Sequence, residues 1–153
     1  ATVHADSAPE TISRLVNPPI SVPPNLLKSV NLNVVMFRDR KKGIRRISQI
    51  AEFEAEADTA KANILYRWIP ENDKIVQHSE SSRFFEDISR HTGMSNTEIS
   101  SELDEKKKIL LWLIKNKIRN LQDLGKVMNL YYKNKTLLLS GINKNNKGLI
   151  FES

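Results

Sequence analysis

The sequence predicts a mixed α+β chain, and three patterns predict it. A helix-capping signature stands near the start, β-type alternation fills residues 30–76, and helical periodicity takes over from about residue 81. The 153 residues suit one ordinary domain, and 39% hydrophobic with 27% charged residues is a composition that folds.

The elements follow in order. Thr2-Val3-His4 is short and β-branched and reads as the end of a strand. Ser7-Ala8-Pro9-Glu10 has the S-x-x-E form of a capping box with proline in the first turn. The helix it opens carries Ala8, Ile12, Leu15 and Val16 on one face and stops at Asn17-Pro18-Pro19. Pro23-Pro24 followed by NLLKSV predicts another brief helix.

From Val30 the segments VNLNVVMFRDR, IRRISQIAEFEAE, ILYRWI and IVQH, separated by KKG, a gap and PENDK, predict an antiparallel meander. Ile44, Arg46, Ser48, Ile50 and Glu52 alternate with Arg45, Ile47, Gln49, Ala51 and Phe53. Each set is mixed in polarity, as for a sheet partly covered on both sides.

Three helices follow. The first spans about Ser81 to Thr92, with Phe84, Phe85 and Ile88 inward and Gly93 as its stop. A second capping box, Ser95-Asn96-Thr97-Glu98, opens a helix to about Lys117 with Ile99, Leu103, Leu110 and Ile114 on one stripe and Trp112 opposite. The third, about Leu121 to Tyr132, places Leu121, Leu124, Met128 and Tyr132 on a stripe beside Val127 and Tyr131. Beyond Leu139 a loose tail is expected.

The chain has no apolar run near the ~20 residues that cross a bilayer, and its start lacks a basic and an apolar signal region. A cytoplasmic setting is expected. Without cysteine there is no disulfide or thiolate site, and the three histidines lack metal-ligand spacing. With no initiator Met and a strand-like opening, the chain reads as an excised fragment.

The net charge of +6 is unevenly distributed. Arg38, Arg40, Lys41, Lys42, Arg45 and Arg46 stand against Asp39 alone, and Glu52, Glu54, Glu56 and Asp58 follow. Solvated hairpin ends that discourage edge pairing are one explanation, a subunit interface another.

No G-x-x-x-x-G-K-S/T loop exists, and none of the five glycines makes a phosphate cradle. His4, Asp6 and Ser7 are too close in sequence for a catalytic triad. His78, at a strand end, and His91, near a helix C-terminus, read as structural. His4 differs, because it stands where a strand hands over to a helix, the place where open α/β sheets put their ligands. Trp68 and Trp112 read as core or interface residues.

ATVHADSAPETISRL resembles the histidine box of the type II/type IV secretion, pilus and archaellar motor ATPases, in which T-x-H-A-x-S precedes a helix ending in Arg-Leu. The matching positions are Thr2, His4, Ala5, Ser7, Arg14 and Leu15. The resemblance continues in order through PPISVPPNLL, NVVMFRDR, RRISQIAEF, LYRWIPENDK, TGMSNTEI and IRNLQDLGKVMNLYY, to about Leu139, and is to the archaeal branch.

The resemblance implies the second half of a RecA-like α/β ATPase core over 1–79, with the meander in it, a three-helix segment over 80–139 and a flexible tail over 140–153. It implies a hexamer working with ATP and Mg, peripheral at the inner face of the membrane and docked on a membrane platform protein. His4 would sense the γ-phosphate, with Thr2, Ser7, Arg14, Arg45 and Arg46 as nucleotide or interface residues. The phosphate-binding loop would lie before Ala1, so neither activity nor a bound cofactor is expected of this chain alone.

Two other readings stand beside it. FFEDISRHTGMSNTEISSEL has the helix, Gly turn and capped helix of a helix-turn-helix, but Glu98, Glu102, Asp104 and Glu105 would meet phosphates with the wrong sign, so no specific nucleic acid is expected. A non-enzymatic docking module is the other.

Overall fold

The computed structural model describes residues 1–151. It is mixed α/β, with a four-stranded antiparallel sheet and several helices, in two compact units that divide after Gly93.

In the first unit, α1 (Ala8–Val16) is capped by Ser7, whose Oγ accepts the Glu10 N–H at 3.2 Å. The Glu10 carboxylate reaches back to the Asp6 N–H at 2.8 Å, one residue before the cap. The helix buries Ala8, Thr11 and Ile12, with Leu15 and Val16 partly covered, so the expected face is the one that packs. Val22 N–H donates to Leu15 O at 2.8 Å, turning the chain back into a 3-10 segment, Pro24–Ser29, that buries Leu27.

Four strands follow as a meander: β1 (Asn33–Asp39), β2 (Ile44–Ala55), β3 (Ala60–Ile69) and β4 (Lys74–Gln77), each hydrogen-bonded to the next. Val35 pairs with Gln49 but Met36 with Ile47, so Ser48 is an extra residue that interrupts the strict alternation expected along β2. A second bulge places Leu65 between Tyr66, opposite Ile50, and Ile64, opposite Ala51. Ala8, Ile12, Leu27, Val35, Ala51 and Phe53 form the core of this unit.

Residues 1–5 are not a strand, which corrects the β reading of Thr2-Val3-His4. A strand exists through its ladder, and this segment pairs with none of the four strands, whose mutual pairings are all antiparallel.

The first unit closes with α2 (Phe84–Thr92), ended by Gly93 at φ 74°. The sequence-based boundary at residue 79 put this helix with the later ones, whereas the contacts group it with the sheet. Arg83 Nη1 donates to Phe53 O at 2.7 Å and Nη2 bonds Lys28 O, and buried Glu52 holds the helix start.

In the second unit, α3 (Asn96–Lys115) opens on a complete capping box, with Ser95 Oγ accepting the Glu98 N–H at 3.3 Å and Glu98 Oε2 accepting the Ser95 N–H at 2.8 Å. After α4 (Leu121–Lys133), the single residue Asn134 ends one helix and caps the next, α5 (Lys135–Asn143). A short α6 (Gly148–Phe151) follows after a turn at 144–147, so the expected loose tail from residue 140 holds the end of α5 and a further helical turn. Residues 152–153 lie outside the described part of the chain.

The core of this unit gathers Ile109, Trp112 and Leu113 of α3, Val127 and Tyr131 of α4, and Leu138 and Ile142 of α5. The expected stripes are corrected here. Ile99 at the start of α3 is buried as expected, but Leu103, Leu110 and Ile114 on α3 and Leu121, Leu124, Met128 and Tyr132 on α4 are exposed, and the Trp112 and Val127 faces are buried instead. The physical reason is α5, which offers Leu138 and Ile142 to those faces and nothing to the stripes.

Candidate functional site

The N-terminal segment, α1, the 3-10 segment and β1 enclose an open groove of about 1010 Å³. Thr2, His4, Asp6, Thr11 and Arg14 supply its polar wall, and Leu15, Val22, Leu27, Val35 and Phe53 are among its apolar residues. Of the six site residues read from the sequence, the fold brings Thr2, His4 and Arg14 to this one groove.

His4 is exposed, and no hydrogen bond engages its ring among the described residues. Arg14 is partly engaged. Its Nε and Nη2 donate to Glu10 Oε1 at 2.9 and 2.7 Å, which leaves Nη1 for a ligand. The Asp6 N–H, and after it Arg14, hold the Glu10 carboxyl below its ordinary pKa. The groove thus offers an imidazole, a hydroxyl and one guanidinium edge to an anion, with the Asp6 carboxylate as the opposing charge in the same wall. No glycine lines it, so it has no backbone cradle for a chain of phosphates.

Ser7 is occupied as the N-cap of α1 and does not line the groove. Arg45 and Arg46 lie outside its lining as well. Arg46 is locked to Asp73 by two parallel bonds, Nε to Oδ1 and Nη2 to Oδ2, both 2.6 Å, and Trp68 Nε1 donates to Asp73 Oδ1 at 2.9 Å. Arg46 first, then Trp68, draws the Asp73 carboxyl down to about 2. Phe37, the cross-strand partner of Arg46, sets its ring 5.1 Å from that of Trp68, so this cluster braces one end of the sheet.

The basic hairpin keeps most of its charge free. Asp39, its one carboxylate, accepts the Lys41 and Lys42 N–H groups at 2.9 and 3.1 Å, and Gly43 closes the turn at φ 65°. Arg38, Arg40, Lys41, Lys42 and Arg45 are exposed without an ion-pair partner among the described residues.

Sequence reasoning missed Glu52, which is 1% exposed. Its carboxylate accepts the N–H groups of Ser82 (2.5 Å), Arg83 (3.3 Å) and Phe84 (3.1 Å), both serine hydroxyls of 81 and 82, and Asn63 Nδ2. Burial pushes its pKa up, but these donors outweigh burial and leave it below the ordinary value. The partners lie some 30 residues away, and no local pattern marks them. Glu52 anchors α2 rather than facing a ligand. Among the described residues no group of His, Asp and Glu could hold a metal ion, and no helix is long and apolar enough to cross a membrane.

No family model matches the chain. It is similar to two uncharacterized proteins of Methanocaldococcus jannaschii. MJ0781 is 30% identical over 146 residues, which cover 92% of this chain and 20% of that protein. MJ1287 is 31% identical over 122 residues, 76% of this chain and 45% of that protein. The chain thus spans less than half the length of either.

Proposed function

We propose that this chain is the C-terminal part of a secretion, pilus or archaellum motor ATPase, and that the His4 groove forms one wall of its nucleotide site. The observation that carries the reading is the convergence of Thr2, His4 and Arg14, three positions of the T-x-H-A-x-S and Arg-Leu resemblance, on one open groove. The greater length of both relatives supports it, since there is protein beyond this region to supply a phosphate-binding loop. On this reading the sheet and α1 derive from the second half of a RecA-like core. The working enzyme is a hexamer that uses ATP and Mg and docks at the inner face of the membrane on a platform protein.

The chemistry follows from what the groove holds. Phosphoryl transfer depends on positioning and on donors aimed at the charge around the γ-phosphate. His4 can donate from a ring nitrogen that no described residue engages, and α1, which starts four residues later, can move with it.

The longer protein that contains this chain tests the reading. His4→Ala should lower ATP turnover about tenfold, equivalent to ~1.4 kcal/mol of transition-state stabilisation, with a smaller change in nucleotide affinity and an unaltered thermal melt. Unchanged turnover per folded molecule would leave His4 without a catalytic role. The isolated chain should show no tight binding in a calorimetric titration with Mg-ATP, and a micromolar affinity would refute the division of the site.

A further inference from the structure

The second unit carries an apolar face that its own fold leaves open. On α3, Trp112 points to α5, and stepping about 100° per residue brings Leu103, Leu110 and Ile114 out on the opposite side. The α3–α4 pair runs antiparallel: the Tyr131 hydroxyl lies 3.4 Å from Glu102 Oε1, and the Lys106 ammonium sits over the Tyr131 ring. With Val127 turned to the same core as Trp112, this pairing brings Leu121, Met128 and Tyr132 of α4 to the side that carries the α3 stripe. The exposure is large, 67% for Ile114, 82% for Leu121 and 75% for Tyr132.

From Lys106 onward the charge of this unit is almost all of one sign, the acidic residues Glu98, Glu102, Asp104 and Glu105 lying in the first half of α3. Between Lys106 and Lys147 the chain has eleven Lys or Arg residues and one carboxylate, Asp123, which is bonded to Asn120. Lys106 and Lys135 are ion-paired, to Glu102 and Glu105. Lys107, Lys115, Lys117, Arg119, Lys126 and Lys133 are exposed and form no ion pair among the described residues. Lysine is depleted at the centres of protein–protein interfaces, where its entropy and hydration cost most. Long lysines beside Leu, Ile, Met and Tyr are instead the pattern of a helix face lying in a bilayer interface, with apolar side chains below the headgroups and ammoniums among them.

We propose that this face of α3 and α4 is a peripheral docking surface for an anionic lipid bilayer, with Leu110, Ile114, Leu121, Met128 and Tyr132 entering the headgroup boundary and the surrounding cations meeting lipid phosphates. The inference rests on this face and not on the motor reading, and either can fail alone.

The test is co-sedimentation of the full chain with vesicles of phosphatidylcholine, alone and mixed with phosphatidylglycerol. The chain should pellet with the mixed vesicles, stay in solution with the neutral ones, and be released by salt. The double variant Ile114→Ser/Leu121→Ser, at exposed positions that leave the core intact, should bind at least about tenfold more weakly with an unchanged melt. Lys107→Gln and Lys115→Gln should each cost about fivefold. Lys41→Gln/Lys42→Gln, on the basic hairpin of the other unit, should bind as the unaltered chain does. The proposal is overturned if mixed vesicles are not bound, if neutral vesicles bind equally, or if only the hairpin variant loses binding. It is overturned equally if light scattering finds a dimer that the Ile114→Ser/Leu121→Ser variant dissolves while vesicles go unbound, since a second copy then covers the face.

Discussion

The two units reach a buried core by different means. In the first, the sheet and α1 supply an apolar layer, but α2 is held by polar contacts: Glu52 accepts three consecutive backbone N–H groups at its start, and Arg83 bonds two carbonyls from other elements. In the second, each helix from α3 to α5 contributes buried apolar side chains to one cluster, and side-chain caps at Ser95, Asn120 and Asn134 fix the helix starts. A polar hub specifies position through directed bonds and depends on its protonation state. An apolar cluster depends on shape and is indifferent to pH. Each unit also holds one tryptophan, Trp68 in the first and Trp112 in the second, so single-tryptophan variants report on them separately.

The largest expected effect tests the apolar side. Leu138 is fully buried, and Leu138→Ala should cost the second unit about 4 kcal/mol through lost contacts and a cavity. Urea unfolding followed at Trp112 in a Trp68→Phe background should show it, with the Trp68 transition of the complementary variant unmoved. A common shift at both reporters would break the comparison by making the chain one cooperative body.

Glu52→Ala should cost the first unit about 3 kcal/mol, because it strands buried donors that water cannot reach. The same residue sharpens the comparison through pH. Its pKa is depressed in the folded chain, so the stability it gives is complete above its ordinary value of 4.5 and is lost as pH falls through the lower folded value. Acid titration should therefore unfold the first unit before the second, and Glu52→Ala should flatten that dependence below about pH 4.5. A Trp68 transition as acid-sensitive in the variant as in the unaltered chain would remove Glu52 from the account.

The smallest effect concerns the caps. Ser95→Ala should destabilise the second unit by about 1 kcal/mol, visible as a lower urea midpoint at Trp112. No shift would mean that the core fixes the start of α3 without its capping box.

The same contrast explains what was legible in the sequence. Ser7, Ser95 and Gly93 act within four residues of their partners, so the helix ends they mark were readable, as was the meander from its turns. The Ser48 bulge depends on the register of β1, and Glu52 on a loop far along the chain. The buried faces of α3 and α4 were misread because periodicity ranks stripes by apolar content, whereas burial is decided by what packs opposite. That partner, α5, was partly hidden in the polar-looking SGINKNNK. At the candidate site, what was readable was that His4 stands just ahead of the helix capped by Ser7. The failure of the His4 segment to pair as a strand, and the commitment of Arg46 to Asp73 and of Ser7 to its cap, required the tertiary structure.

Asn134 gives the second unit a rigid register. Its N–H closes α4 on Leu130 O at 2.8 Å while its Oδ1 opens α5 at the Leu137 N–H at 3.1 Å, so no residue between the helices can absorb a change in length. One residue inserted there would turn α5 by about 100° and advance it by about 1.5 Å, carrying Leu138 and Ile142 out of the core they complete. Five residues separate α3 from α4, and there Ile118 donates its N–H to Leu113 O at 3.0 Å and packs against the core. Length variation is therefore ruinous at Asn134, which makes the single asparagine the pivot from which the orientation of α5 is set.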